Sequence, residues 1–143
     1  MQIDTYLRGK GLKITPARKS ILEILLGQHE PLDVQSIIKE LHTLDIQSDP
    51  ATVFRTMNVF LEKNIVRQVQ LMEGKVRYEI LDQKEHHHFI CRKCESISDI
   101  SDCNISILEK KIEELKGVAI EHHALEFYGL CSKCLKSTKR KSV

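Results

Sequence analysis

Asp49-Pro50-Ala51-Thr52-Val53-Phe54-Arg55-Thr56-Met57-Asn58-Val59-Phe60-Leu61 is the stretch on which the fold turns. Asp49 can cap a helix, and Pro50 suits its first turn because that turn's N–H groups have no partner anyway. Val53, Met57, Phe60 and Leu61 then recur at the spacing of one helical face. Near Lys63-Asn64 the period changes. Ile65 to Leu71 reads as a strand and Met72-Glu73-Gly74-Lys75 as a turn. Val76, Tyr78 and Ile80 then alternate with Arg77 and Glu79 as a second strand.

Working back toward the start, Asp33 can cap a helix whose Val34, Ile37, Ile38, Leu41 and Leu44 form an amphipathic stripe. Thr15-Pro16 opens another, carrying Ile21, Leu22, Leu25 and Leu26, with Gly27 able to stop it. A short helix over about Asp4 to Lys10 precedes it. Several helices followed by a β-hairpin is the winged-helix plan, whose third main helix, here about residues 50–63, enters a DNA major groove. The pattern alone leaves a second reading open, a small helical domain with a hairpin and no nucleic-acid role.

The chain has 143 residues, 41% of them apolar, enough for a packed core, and 29% charged. That excludes disorder and fibrous repeats, and no apolar run approaches the ~20 residues of a membrane helix. The first residues lack the basic and apolar regions of a secretory signal, so a soluble cytoplasmic protein is expected. The net charge of +2 argues against a histone-like partner but hides local patches. Residues 1–20 carry Arg8, Lys10, Lys13, Arg18 and Lys19 against Asp4 alone. The closing run Lys136, Lys139, Arg140 and Lys141 reads as a solvated, frayed end.

The two halves differ sharply in composition. All five cysteines and five of the seven histidines fall after residue 82. The expected fold is therefore α+β, with a winged-helix DNA-binding domain over residues 1–82 and a small α/β domain over 83–143. In the second half, Cys91-x-x-Cys94 and Cys131-x-x-Cys134 can place four thiolates around zinc. The 36 residues between the pairs exceed a compact zinc ribbon, so the knuckles should sit at the ends of separate strands of one domain. A reducing compartment disfavours two disulfides, and Cys103 is left over as a small apolar residue. Glu85-His86-His87-His88-Phe89-Ile90 leads into the first knuckle. As a strand, it puts His86 and His88 on one side and Glu85 and His87 on the other, so it can serve two metal sites. Asp99 and Asp102 lie in the next strand and turn. A helix over about Asn104 to Lys116 follows, then a strand from Val118 to Tyr128 bearing His122 and His123.

Four stretches together resemble the ferric uptake regulator family over nearly the whole chain. They are Leu12-Lys13-Ile14-Thr15-Pro16-Ala17-Arg18, Pro50 to Met57, His86-His87-His88-Phe89-Ile90-Cys91-x-x-Cys94, and Tyr128-Gly129-Leu130-Cys131-x-x-Cys134. The resemblance implies a metal-dependent repressor, a homodimer that binds AT-rich inverted repeats in promoter DNA when a second divalent metal is present. It implies structural zinc on Cys91, Cys94, Cys131 and Cys134. It places Glu79, His86, His88 and Asp99 in a hinge-spanning regulatory set, and Glu85, His87 and His123 in a further site of the dimerisation domain. It puts Lys13 in a minor groove and Arg18 and Lys19 on phosphates, counts Thr52 among the DNA-binding residues, and sets Phe54 and Arg55 against thymine methyls and base edges or phosphate.

Several positions depart from the family pattern. Pro31 stands where a further hinge histidine is usual, with His29 two residues earlier. Ser106 stands where the further site usually takes a glutamate, with Asp102 or Cys103 as possible replacements. Glu95 stands where a glycine usually follows the first knuckle, and Phe54 where a tyrosine is usual. The carboxylate and imidazole ligands suit Fe²⁺, Mn²⁺ or Zn²⁺. Asp99, in place of a glutamate, resembles the peroxide-sensing branch. Enzyme classes fit poorly. A zinc deaminase needs H-x-E with P-C-x-x-C, and a thiol oxidoreductase needs a thioredoxin-like βαβ pattern. A zinc storage or chaperone module without DNA function is the alternative, and it leaves the Ala51-Thr52-Val53-Phe54-Arg55 helix unexplained.

Overall fold

The computed structural model describes residues 1–72, 74–81, 85–101 and 103–140. The chain divides into two compact units, residues 1–83 and 84–143. Glu73, Asp102 and Lys141 lie outside the described residues, as do residues 82–84 of the joint expected near residues 81–85.

The first unit runs α1 (Ile3–Gly9), α2 (Pro16–Gly27), β1 (Leu32–Asp33), α3 (Val34–Thr43), α4 (Pro50–Glu62), β2 (Val66–Gln70) and β3 (Val76–Ile80). Its longer helices begin on side-chain caps. The Thr15 hydroxyl accepts from the Arg18 N–H at 3.2 Å, the Asp33 carboxylate from Ser36 N–H at 2.7 Å, and the Asp49 carboxylate from Thr52 N–H at 2.7 Å. Each satisfies an N–H that the helix itself cannot. Leu7, Ile21, Leu22, Ile37, Leu41, Val53, Met57 and Phe60 from the four helices meet Ile65, Val66, Tyr78 and Ile80 in one apolar core. The β2–β3 hairpin pairs Val66 with Ile80 through Gln70 with Val76, and β1 adds a short third strand on the far side of β3. Two residues are too few to show an alternating pattern, so β1 was not expected. Leu44 also departs from expectation. It lies at the C-cap of α3 rather than on its stripe, and it is exposed.

The second unit runs β4 (His87–Cys91), β5 (Ile97–Ile100), α5 (Ile105–Lys116), β6 (Glu126–Gly129) and α6 (Ser132–Arg140). β4 is central, antiparallel to β5 and parallel to β6, with α5 in the crossover. Gly117 ends α5 at φ +65°, a left-handed cap that favours glycine. Two expectations fail here. The strand forecast from Val118 is only Glu126–Gly129, because the segment before it is tied to α5 by side chains. Ile120 N–H donates to the Glu113 carboxylate at 2.8 Å, and His123 meets Glu109. The supposed frayed tail is helical through Arg140, anchored by the second cysteine knuckle, where Leu135 N–H donates to the Cys131 carbonyl at 2.8 Å.

The interior of this unit is unusual. Among its described residues the buried side chains are Cys91, Ile97, His86, His87 and His88. No residue of α5 is buried, and Ile107, Leu108, Ile112 and Leu115 all stand exposed. Sulfur and imidazole occupy the space where a domain of this size would hold leucines.

Candidate metal centres and nucleic-acid interface

β4 delivers Cys91 at its last position, the following turn delivers Cys94, and the end of β6 with the start of α6 delivers Cys131 and Cys134. The ligand atoms of these four residues all lie within 4.8 Å of one another. Cys94 Sγ and Cys131 Sγ are 3.7 Å apart. Four thiolates at ~2.3 Å from a tetrahedral zinc ion stand about 3.8 Å apart, so the Cys94–Cys131 pair already has the spacing of two ligands of that ion. The cluster's electrostatics point the same way. N–H groups of Cys94, and then of Cys131, hold the Cys91 thiol down at about 6 against the opposing effect of burial. Cys131 N–H lies 3.3 Å from Cys91 Sγ. The Ser96 hydroxyl, 3.2 Å from Cys94 Sγ, lowers the Cys94 thiol. Burial, and then the three neighbouring thiols, push Cys134 up to about 12. Four sulfurs this close share their negative charge fully only around a cation.

Glu95 follows the knuckle at φ +62°, and its N–H closes the turn on the Cys91 carbonyl at 2.9 Å. The Cβ of an L-residue is crowded in that conformation. Glu95→Gly should therefore stabilise the second unit by about 1 kcal/mol, read as a higher midpoint in denaturant with zinc present. An unchanged or lower midpoint would mean that the turn carries no such strain.

The strand run divides its side chains between two faces. On one side the His86 and His88 rings stand edge to face with centroids 5.0 Å apart. Asp99, the register partner of His88 on β5, brings a carboxylate oxygen to 3.7 Å from His88 Nε2. On the other side Glu85, His87 and His123 present ligand atoms within 4.8 Å of one another. His87 Nε2 and His123 Nε2 are 2.7 Å apart, and Glu85 Oε1 is 3.2 Å from His123 Nε2. His122, adjacent in sequence, is exposed.

Sequence reasoning missed Glu109. Its carboxylate lies 2.7 Å from His123 Nδ1. The position that carries the family's usual glutamate holds Ser106, whose hydroxyl donates to Asn104 at 2.8 Å and is exposed. Glu109 is three residues further along α5 and so lies near the same face. The signal was available as a carboxylate one helical turn from the empty position. Cys103 is half-buried and belongs to none of the metal-ligand groups among the described residues.

In the first unit Glu79 is buried on β3, opposite Arg67 on β2, and Arg67 Nε donates to its carboxylate at 2.5 Å. Pro31 is fully buried, and its carbonyl accepts from Arg77 at 3.0 Å. His29 is exposed. α4 turns Val53, Thr56, Met57 and Phe60 inward, which leaves Phe54, 49% exposed, and Arg55 on its outer face with Thr52 half-buried beside them. Arg55 Nε donates back to the Ala51 carbonyl at 3.3 Å. Lys13 is exposed, whereas Arg18 donates to the Lys13 carbonyl at 2.9 Å and Lys19 pairs with Asp4 at 3.2 Å.

Residues 9–128 match the Ferric uptake regulator family. The chain belongs to that family. It is 33% identical over 136 residues to the ferric uptake regulation protein of Neisseria meningitidis, covering 94% of each chain. It is 30% identical over 130 residues to the peroxide operon regulator of Bacillus subtilis, covering 91% of this chain and 89% of that one. The solved ferric uptake regulator of Francisella tularensis with iron superimposes with a TM-score of 0.76 at 28% identity, covering 87% of this chain and 96% of that one. The family consists of metal-responsive transcriptional regulators rather than enzymes, and this chain is such a regulator. Among the described residues no helix is long and apolar enough to cross a membrane.

Proposed function

We propose that this regulator is a cytoplasmic repressor that binds AT-rich inverted repeats in promoter DNA as a homodimer when its regulatory metal is bound. The observation that carries this reading is the coexistence, in one family member, of a four-thiol cluster, the Glu85–His87–His123 cluster, the His88–Asp99 pair and a helix with Phe54 and Arg55 turned outward. Cys91, Cys94, Cys131 and Cys134 would hold zinc, which supplies the cohesion that the second unit's interior lacks. Glu79, His86, His88 and Asp99 would take Fe²⁺, Mn²⁺ or Zn²⁺ as the signal. Because Glu79 belongs to the first unit and the other three to the second, a metal held by all four would favour one arrangement of the units. It shifts that equilibrium only by its difference in affinity for the two arrangements. Glu85, His87 and His123 would form the further site. The exposed row Ile107, Leu108, Ile112 and Leu115 supports a dimer partner on α5.

On DNA, α4 would enter the major groove, with Phe54 against a thymine methyl, Arg55 on a base edge or phosphate, and Thr52 near the backbone. Lys13 would reach a narrow minor groove, and Arg18 and Lys19 would contact phosphates. Arg55→Ala should weaken DNA binding by roughly 5- to 150-fold, about 1–3 kcal/mol for a lost specific contact. If Arg55 touches only phosphate, the loss will be the same on every sequence and the salt dependence will flatten by about one ion.

The test of the whole reading is fluorescence anisotropy on an AT-rich palindrome. Fe²⁺, Mn²⁺ and Zn²⁺ are titrated separately into chains carrying only structural zinc. At least one metal should tighten binding by roughly 5- to 150-fold. Affinity indifferent to all three would defeat the sensor reading. No binding to any duplex would favour a zinc-handling module instead. Asp99 beside His88 supports a second reading, peroxide sensing by iron-catalysed oxidation of a ligand histidine. Iron-loaded chains that gain no oxygen on the peptide bearing His86 and His88 after peroxide would sink it.

A further inference from the structure

We propose that Glu109 is the positioning residue of the Glu85–His87–His123 centre, holding His123 so that its Nε2 is the metal-binding nitrogen. The inference rests on the reading above that this cluster binds a divalent cation. Its own grounds are geometric. An imidazole has two nitrogens on opposite edges of the ring. In His123 one of them, Nδ1, lies 2.7 Å from Glu109 Oε1, and the other, Nε2, faces His87 Nε2 at 2.7 Å and Glu85 Oε1 at 3.2 Å. A carboxylate can only accept, so the hydrogen bond to Glu109 places a proton on Nδ1. With Nδ1 so engaged, Nε2 is the ring nitrogen left to a cation that sits between Glu85 and His87. A histidine that ligates a metal typically gives its second N–H to such a carboxylate, which fixes the ring and raises its basicity.

The same geometry keeps Glu109 off the metal. An ion between Glu85, His87 and His123 Nε2 lies across the ring from Glu109. The chain therefore offers that ion two imidazoles and one carboxylate. The carboxylate that α5 brings to this cluster, Glu109, acts through His123. Two nitrogens around a tetrahedral ion stand about 3.3 Å apart, so His87 and His123 must part by roughly half an ångström on binding. A ring tethered at Nδ1 can make that swing about its tether without losing its orientation.

The test uses the full chain loaded with structural zinc, titrated with Co²⁺ and followed by its visible absorption. Four proteins are compared, the parent, Glu109→Ala, Glu109→Gln and His123→Ala. The Co²⁺ signal that His123→Ala removes belongs to this centre. Glu109→Ala should bind the same number of Co²⁺ ions per chain as the parent, with the same bands, but 10- to 100-fold more weakly. Glu109→Gln keeps an accepting oxygen and should recover part of that loss. Side-chain ¹⁵N spectra of the cobalt-free proteins supply a readout that loss of packing would not move. They should show His123 protonated at Nδ1 in the parent and a mixture of tautomers in Glu109→Ala. Unchanged affinity in Glu109→Ala would overturn the proposal. So would the complete loss of this centre's bands in Glu109→Ala, since that would make Glu109 itself a ligand. If His123→Ala removes no Co²⁺ signal at all, the centre does not exist, and the proposed site fails along with this inference.

Discussion

Replacing Cys91 with serine should strip zinc from the protein and unfold the second unit while the first stays folded. Cys91 is fully buried at the end of the central strand, and its sulfur accepts the N–H of Cys131 from the other knuckle. It thus joins the β4 end to the start of α6, which no apolar contact in this unit can replace. Among the described residues there, Ile97 is the lone buried hydrocarbon side chain. Serine is a poor zinc ligand, and three thiolates leave the tetrahedron incomplete. Native mass spectrometry should find zinc falling from about one ion per chain to nearly none. Hydrogen exchange should show the amides of β4, β5 and β6 losing protection together, with those of α2 and α4 unchanged. A chelator should do the same reversibly. A Cys91→Ser chain that keeps β4 protected would show that the strands cohere without the metal.

Phe60→Ala should produce the mirror image. Phe60 is the largest fully buried side chain among the described residues and sits among residues from all four helices and the hairpin. Removing a buried phenyl ring costs about 3–5 kcal/mol, because the transfer gain is lost and a cavity remains. Domains of this size hold only about 5–15 kcal/mol in total. The first unit should therefore unfold at much lower denaturant, and DNA binding should fall with it. Zinc content and protection of β4 should persist, since they depend on the other unit. Loss of both units together would mean that they fold as one. The two substitutions thus test from opposite ends whether each unit stands alone.

What could be read in the amino acids follows the kind of force involved. The first unit was legible because its forces are local or periodic. Thr15, Asp33 and Asp49 each sit just ahead of a helix and bond to an N–H three residues on. Val53, Met57 and Phe60 mark the inward face of α4 by spacing alone. The second unit was legible chiefly through its ligand chemistry. The alternation that separates His86 and His88 from Glu85 and His87 is a property of any strand. The parts that escaped are held by longer reach. α6 has no apolar stripe of its own to announce it and is fixed by the cysteine knuckle at its start. Residues 118–125 contain enough apolar and β-branched side chains to suggest a strand, but Glu113 and Glu109 tether them to α5 instead. Glu109 reaches His123 across the fold, fourteen residues along the chain, a contact that no local spacing announces. Leu44 had the right spacing, yet it fell where the helix had already ended.

The exposed row on α5 has a genetic consequence. If Ile107, Leu108, Ile112 and Leu115 seat a second copy, each operator complex contains two chains, and a defective chain can disable a sound one. A variant damaged only on α4, such as Arg55→Ala, would still assemble through α5. Co-expressed in equal amount with the parent, it would leave about one quarter of the assemblies with two intact reading heads. Such a variant would behave as dominant in a cell carrying both alleles, whereas Cys91→Ser, which cannot fold the assembling unit, would be recessive.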